Sequence, residues 1–158
     1  MTALSPAAGQ AWPQAPKPMG VGIIGAGNVS DQYLRSLLTY PDLDVRGIAD
    51  LDVSRARDQA AAYGLEFAGP VADLLRLDGI ELVVNLTIPA AHAEVGLAVI
   101  ESGRHLWGEK PFTLDRASAR QVLAAARAAG VTVGNAPDTI LGSGIQRSQR
   151  LLMEGAIG

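Results

Sequence analysis

The sequence predicts an α/β protein, a doubly wound parallel sheet with helices on both faces, and three observations predict it. From Met19 onward, short apolar stretches of strand character alternate with longer stretches of helical period. The first strand runs straight into a glycine turn, Gly25-Ala26-Gly27, and the turn into a helix. An acid, Asp50, closes the second strand. Repeated strand–helix alternation gives a parallel sheet, because each crossover carries a helix back over one face. The three observations together describe a Rossmann-type unit, in which ligands bind beyond the carboxyl ends of the strands.

The elements follow in order. Residues 1–18 carry repeated prolines and alanines without strand or helix period, and the expectation is a flexible extension. This stretch lacks the basic start and continuous apolar run of a secretory signal. The apolar run Met19 to Ile24 is the first strand. Asp31 to Leu38 follows as a helix, with Tyr33, Leu34, Leu37 and Leu38 on one face. Tyr40-Pro41-Asp42 breaks the chain before a second strand, Leu43 to Ala49. Val53 to Tyr63 reads as a helix that Asp52 can cap and Gly64 stops. A short strand at Leu65 to Ala68 and a short helix at Val71 to Leu77 come next. Glu81 to Leu86 is a strongly apolar strand ending at Thr87-Ile88-Pro89, and Ala90 to Ser102 a helix stopped by Gly103. Arg104 to Trp107 is a fifth strand, leading into Gly108-Glu109-Lys110-Pro111. Asp115 can cap an alanine-rich helix running through Ala129, which Gly130 ends. Val131 to Val133 is a sixth strand, and Ile145 to Glu154 a last helix.

Composition narrows the function classes. The 158 residues suit one domain with a core of aliphatic side chains, since only 4% are aromatic. A net charge of −3 gives no reason to expect nucleic acid or an anionic membrane as partner. With no cysteine there is no disulfide, thiolate nucleophile or thiolate metal site. The 2 histidines, His92 and His105, are too few and too far apart for a zinc motif, so no metal is expected. No apolar run is long enough to span a bilayer, and a cytoplasmic location is the default expectation.

The glycine turn carries the strongest chemical signal. Gly25 would allow the sharp turn, and Gly27 would let backbone approach a pyrophosphate where a Cβ would collide with it. N–H groups near Asn28 and Val29 would face the phosphates at the positive end of the helix. The third glycine of the usual pattern is replaced by Ser30, small enough for close helix–strand packing. Asp50 lies 25 residues after Gly25, near the roughly 20 expected of an acid that binds the adenosine ribose hydroxyls. Such a carboxylate would repel a 2′-phosphate and favour NAD over NADP; the bland reading is a turn or capping acid. Arg55 nearby could pair with a phosphate and soften the preference, so NADP stays open.

Glu109-Lys110-Pro111 is the one cluster suited to chemistry. A lysine ammonium at a strand end can bind a substrate hydroxyl or the nicotinamide ribose, or take part in proton transfer. Glu109 can pair with it or fix its position, and Pro111 directs the backbone out of the strand. An isolated Glu-Lys pair would more simply be a solvated one; its place after the fifth strand favours function. His92 is either a hydrogen-bonding group near the cofactor or a structural histidine at a helix start.

Gly25-Ala26-Gly27-Asn28-Val29-Ser30, Asp50 with Arg55, Thr87-Ile88-Pro89 with His92, and Glu109-Lys110-Pro111 occur in one order. That combination resembles the N-terminal half of the Gfo/Idh/MocA family of nicotinamide-dependent oxidoreductases, over about residues 19–158. The resemblance implies pyrophosphate contact along Gly25, Ala26, Gly27, Asn28 and Val29, and adenosine ribose contact at Asp50. It implies that Thr87 and Pro89 lie along the middle of the cofactor and Lys110 at the nicotinamide and substrate, with a cis peptide at Lys110-Pro111. The stretch 136–142 resembles the segment leading into the family's second, substrate-binding domain, which would begin where this chain stops. The function implied is the cofactor half of an oxidoreductase acting on a hydroxyl of a sugar, polyol or related compound. Its partners would be a small-molecule substrate and, in a full-length form, a second copy of itself. The alternative is a stand-alone module that binds or senses NAD(H) without catalysis.

Overall fold

A computed structural model describes residues 17–136 and 138–156. Of the expected N-terminal extension, residues 1–16 lie outside the described residues, as do Pro137 and the final two residues.

Six parallel strands form one sheet in the order β3-β2-β1-β4-β5-β6. They are β1 (Met19–Ile24), β2 (Leu43–Ala49), β3 (Phe67–Gly69), β4 (Leu82–Asn85), β5 (His105–Gly108) and β6 (Val133–Asn135). The helices are α1 (Asn28–Leu37), α2 (Val53–Tyr63), α3 (Val71–Leu74), α4 (His92–Glu101), α5 (Arg116–Ala129) and α6 (Ser143–Met153).

Strand side chains alternate between faces, and the core splits accordingly. Ile23, Ile48 and Val84 pack against Leu34 of α1 and Ala56 and Ala60 of α2. Ile24, Ala49 and Val83 pack on the other face with Leu74 of α3, Val99 and Ile100 of α4, and Val122 of α5. Both faces are therefore covered, which is why β1 and β4 read as continuous apolar runs rather than alternating ones. The chain winds outward from β1 to β3, returns, and winds outward again from β4 to β6. The resulting reversal between β1 and β4 opens a crevice at the carboxyl edge.

The caps fall where the sequence places them. Asp52 accepts from Ser54 N–H at 3.1 Å, and Asp115 from Ser118 N–H at 2.9 Å. Gly64 and Gly130 end α2 and α5 in the left-handed conformation. Several boundaries differ. Helix α1 begins at Asn28 rather than Asp31, because the glycine turn feeds it directly, and Leu38 sits past its end, 46% exposed. Helix α3 stops at Leu74 instead of Leu77, and a 3₁₀ turn at Pro89–Ala91 precedes α4. Strands β3 and β6 each lie about two residues later than expected, set by pairing with β2 and β5: Gly47 aligns with Phe67, and Leu106 with Val133. Helix α6 buries none of its residues.

Candidate functional site: a dinucleotide cleft at the carboxyl edge

The glycine turn is held by backbone geometry. Gly25 has φ +106°, and its N–H donates to Ala49 O at 2.8 Å. A Cβ there would lie 2.7 Å from the Leu86 carbonyl, so both conformation and space demand glycine. Gly27 differs: at φ −82° it is the N-cap of α1, and a Cβ would meet nothing within 4 Å. No side chain caps α1. Among the described residues, nothing accepts from the N–H groups of Asn28 and Val29, which are exposed. Open space above Gly27 beside unbonded N–H groups at a helix start suits a phosphate. Ser30, wholly buried, donates from Oγ to Gly27 O at 2.6 Å and fixes the turn from below.

Asp50 stands beside this turn. One carboxylate oxygen accepts from Ala26 N–H at 2.6 Å and the other from Asp52 N–H at 2.9 Å. Ala26 thus spends its N–H on Asp50 rather than offering it to a ligand. Each carboxylate oxygen keeps a lone pair, and Asp50 lines a cavity of about 290 Å³ with Gly25, Gly27, Arg55, Thr87 and Glu94. Arg55 pairs loosely with Asp52 at 3.6 Å. The hydroxyl and N–H of Ser54 hold the Asp52 carboxyl below the usual carboxylate range, so Asp52 caps α2 and Asp50 is left for the cavity.

Thr87 lines the cavity and is itself fixed: its N–H and hydroxyl both donate to Asn85 Oδ1, at 3.1 and 2.7 Å. Ile88 and Ala91 line the same wall, whereas Pro89 is exposed outside it. His92 is buried. Its ring is 5% exposed, with Nδ1 2.6 Å from Pro111 O and Nε2 2.9 Å from Thr87 O. Both ring nitrogens face protein carbonyls, and a neutral ring donates to one of them, so the ring lies between the two loops.

One strand further along, Glu109 Oε1 accepts from the Tyr33 hydroxyl at 2.7 Å and Oε2 from Lys110 N–H at 2.9 Å. The Glu109 carboxylate therefore positions backbone, and no ion pair joins it to the Lys110 ammonium. Asn135 Nδ2 donates to the carbonyls of Gly108 and Glu109 at 2.8 and 2.9 Å, and Lys110-Pro111 is cis. Lys110 itself is exposed, and no described residue accepts from its ammonium.

Three supporting residues escaped sequence reading. Asn85, 2% exposed, had a visible signal: an amide closing the apolar run Leu82-Val83-Val84. Tyr33 and Asn135 had none, because their partners are distant in the chain; 76 residues separate Tyr33 from Glu109. No cluster of metal-ligating side chains occurs among the described residues, nor any helix long and apolar enough to cross a membrane.

Comparison with known proteins places the family and the fold. Uncharacterized oxidoreductase YrbE of Bacillus subtilis is 31% identical over 74% of this chain and 35% of its own length. The dTDP-3,4-didehydro-2,6-dideoxy-alpha-D-glucose 3-reductase of Streptomyces antibioticus is 33% identical over 71% of this chain and 34% of its own. The chain thus spans about a third of the length of the curated relatives it matches. Among solved structures, GenD2 from gentamicin A biosynthesis, in complex with NAD, superposes with a TM-score of 0.84 at 27% identity, over 94% of this chain and 42% of that one. KijD10, a 3-ketoreductase from Actinomadura kijaniata with TDP-benzene and NADP, gives 0.84 at 28% identity, over 90% of this chain and 45% of that one. Residues 19–136 match the Gfo/Idh/MocA model, described as the oxidoreductase family, NAD-binding Rossmann fold, and the chain belongs to that family.

Proposed function

We propose that this chain is the cofactor half of an oxidoreductase that moves hydride between NAD and a hydroxyl-bearing carbon of a sugar, polyol or related compound. The observation that supports the reading best is a helix start with open N–H groups and an exposed lysine on one sheet edge. No described residue accepts from the N–H groups of Asn28 and Val29, beside open space over Gly27, or from the ammonium of Lys110 two strands away. The names of relatives favour the substrate class: a dTDP-sugar reductase and an inositol 2-dehydrogenase of Salmonella typhimurium are among them.

The residues divide the work along the edge. The start of α1 holds the pyrophosphate by N–H donation and by its dipole. Asp50 accepts from the adenosine ribose hydroxyls and repels a 2′-phosphate, while Arg55, only loosely paired, could tolerate one. Thr87 borders the middle of the groove. When bound, the nicotinamide supplies the hydride acceptor or donor. Lys110 holds the substrate oxygen: as an ammonium it donates the proton to a carbonyl being reduced, and as an amine it takes the proton of a hydroxyl being oxidised. Glu109, Asn135 and the Pro111 carbonyl fix the backbone that carries it. Residues 19–158 form this cofactor half, with 1–18 as an extension. Substrate walls and any pairing of subunits belong to a longer form, working in the cytoplasm.

Calorimetric titration with NAD and NADP tests the reading. NAD is expected to bind, and Asp50→Ala to weaken NAD far more than NADP. The loss of charge-assisted ribose hydrogen bonds should cost about 1.5–3 kcal/mol. Equal losses for the two nucleotides would remove Asp50 from the ribose site. Absence of binding by the unaltered chain would overturn the cofactor role. NAD binding without turnover in a longer form would favour the sensing module instead.

A further inference from the structure

His92 joins two loops that the cofactor reading treats separately. Through Nε2 it reaches Thr87 O, on the loop that lines the cavity after β4; through Nδ1 it reaches Pro111 O, next to Lys110 after β5. The 2.9 and 2.6 Å separations are both within hydrogen-bonding distance; a carbonyl can only accept, so a neutral ring donates to one of the two loops and packs closely against the other. Asn85 closes the unit: its Nδ2 donates to His92 O at 3.3 Å, and its Oδ1 takes both donors of Thr87. Contacts of His92 and Asn85 therefore link three segments: the end of β4, the start of α4, and the loop bearing Lys110.

We propose that His92 is a positioning residue for the nicotinamide half of the cleft, setting the spacing between the Thr87 loop and the Lys110-Pro111 loop. The proposal rests on the cofactor reading above. The contacts that hold the ribose acid do not pass through His92. On the adenosine side Asp50 bonds Ala26 and Asp52, and neither contact involves His92. With the pyrophosphate over β1 and the ribose acid on β2, the other half of a dinucleotide extends over β4 and β5, the strands whose loops His92 joins. Loss of the ring should thus spare binding of the adenosine end and degrade recognition of the nicotinamide.

The test compares NADH with ADP-ribose, which lacks the nicotinamide, by calorimetric titration of the chain and of His92→Gln. Unaltered protein should bind NADH more tightly than ADP-ribose. In His92→Gln, ADP-ribose affinity should stay within about twofold while NADH weakens by about fivefold or more. Equal weakening of both ligands would make His92 a general scaffold residue and overturn the proposal. So would no change in either, or equal affinities in the unaltered chain. Failure of unaltered protein to bind ADP-ribose at all would instead sink the cofactor reading, and this proposal with it. Should His92→Gln fail to fold, the His92 ring nitrogens in unaltered protein provide the second measurement by NMR. NADH should shift them and ADP-ribose should not; identical shifts, or none, would overturn the assignment.

Discussion

At the scale of single residues, the two glycines of the turn have opposite reasons for being glycine. Gly25 is required by the fold, since its φ is positive and a Cβ would strike the Leu86 backbone. Gly27 is not, since its φ is ordinary and a Cβ would find open space. Gly27→Val should therefore keep the folded circular dichroism spectrum, with a modest loss of stability from replacing glycine at an N-cap, while abolishing nucleotide binding. Gly25→Ala should lower the melting temperature whether or not nucleotide is present. Retained binding in Gly27→Val would mean that the phosphates lie elsewhere. Such a split separates a residue kept for the chain from one kept for the ligand.

At the scale of elements, caps and cross-links decide how firmly the edge is held. Asp115 starts α5 by accepting from the N–H and hydroxyl of Ser118, at 2.9 and 2.6 Å. The Ser118 hydroxyl, followed by its N–H, holds the Asp115 carboxyl below its usual range. A carboxyl depressed in the folded state stabilises that state above its unfolded value, and the contribution fades as pH falls through the folded value. Asp115→Ala should thus melt at a lower temperature than unaltered protein at pH 7. The gap should narrow as the pH drops below the ordinary carboxylate value of about 3.9. Melts recorded across that range check the sign; a gap that widens in acid would show the carboxylate to be destabilising. Helix α1 is tied to the β5 loop through Tyr33 and Glu109, so the helix that follows the glycine turn and the lysine-bearing loop are joined by a hydrogen bond.

At the scale of the whole molecule, the strand order 3-2-1-4-5-6 gathers sequence-distant motifs on one edge. The glycine turn and Asp50 sit among backbone and side-chain contacts, but Lys110 is open to water. Hydride transfer needs the reacting atoms held at about 3–3.5 Å, which requires a wall facing the lysine. The chain by itself should bind nicotinamide cofactor yet show negligible absorbance change at the NADH band with sugars, inositols and sugar acids. Supplying a substrate domain in a longer form should restore turnover, and Lys110→Ala should then remove most of it. Robust turnover by residues 1–158 alone would refute the assignment of half an active site.

The sequence by itself determined the alternation of strand and helix, the caps at Asp52 and Asp115, the stops at Gly64 and Gly130, and the candidate positions along the edge. These are local matters: periodicity, φ at a glycine and the reach of a capping oxygen extend over a few residues. Element ends at β3 and β6 were less legible, since pairing with a neighbouring strand sets them. Only tertiary structure decided how the candidates divide. It turned His92 inward between two carbonyls, assigned the Glu109 carboxylate to Tyr33 and a backbone N–H, and left Lys110 exposed. It also brought in Asn85 and Asn135 as supports. A side chain's role depends on which donors and acceptors fold against it, and for Glu109 the deciding partner lies 76 residues away.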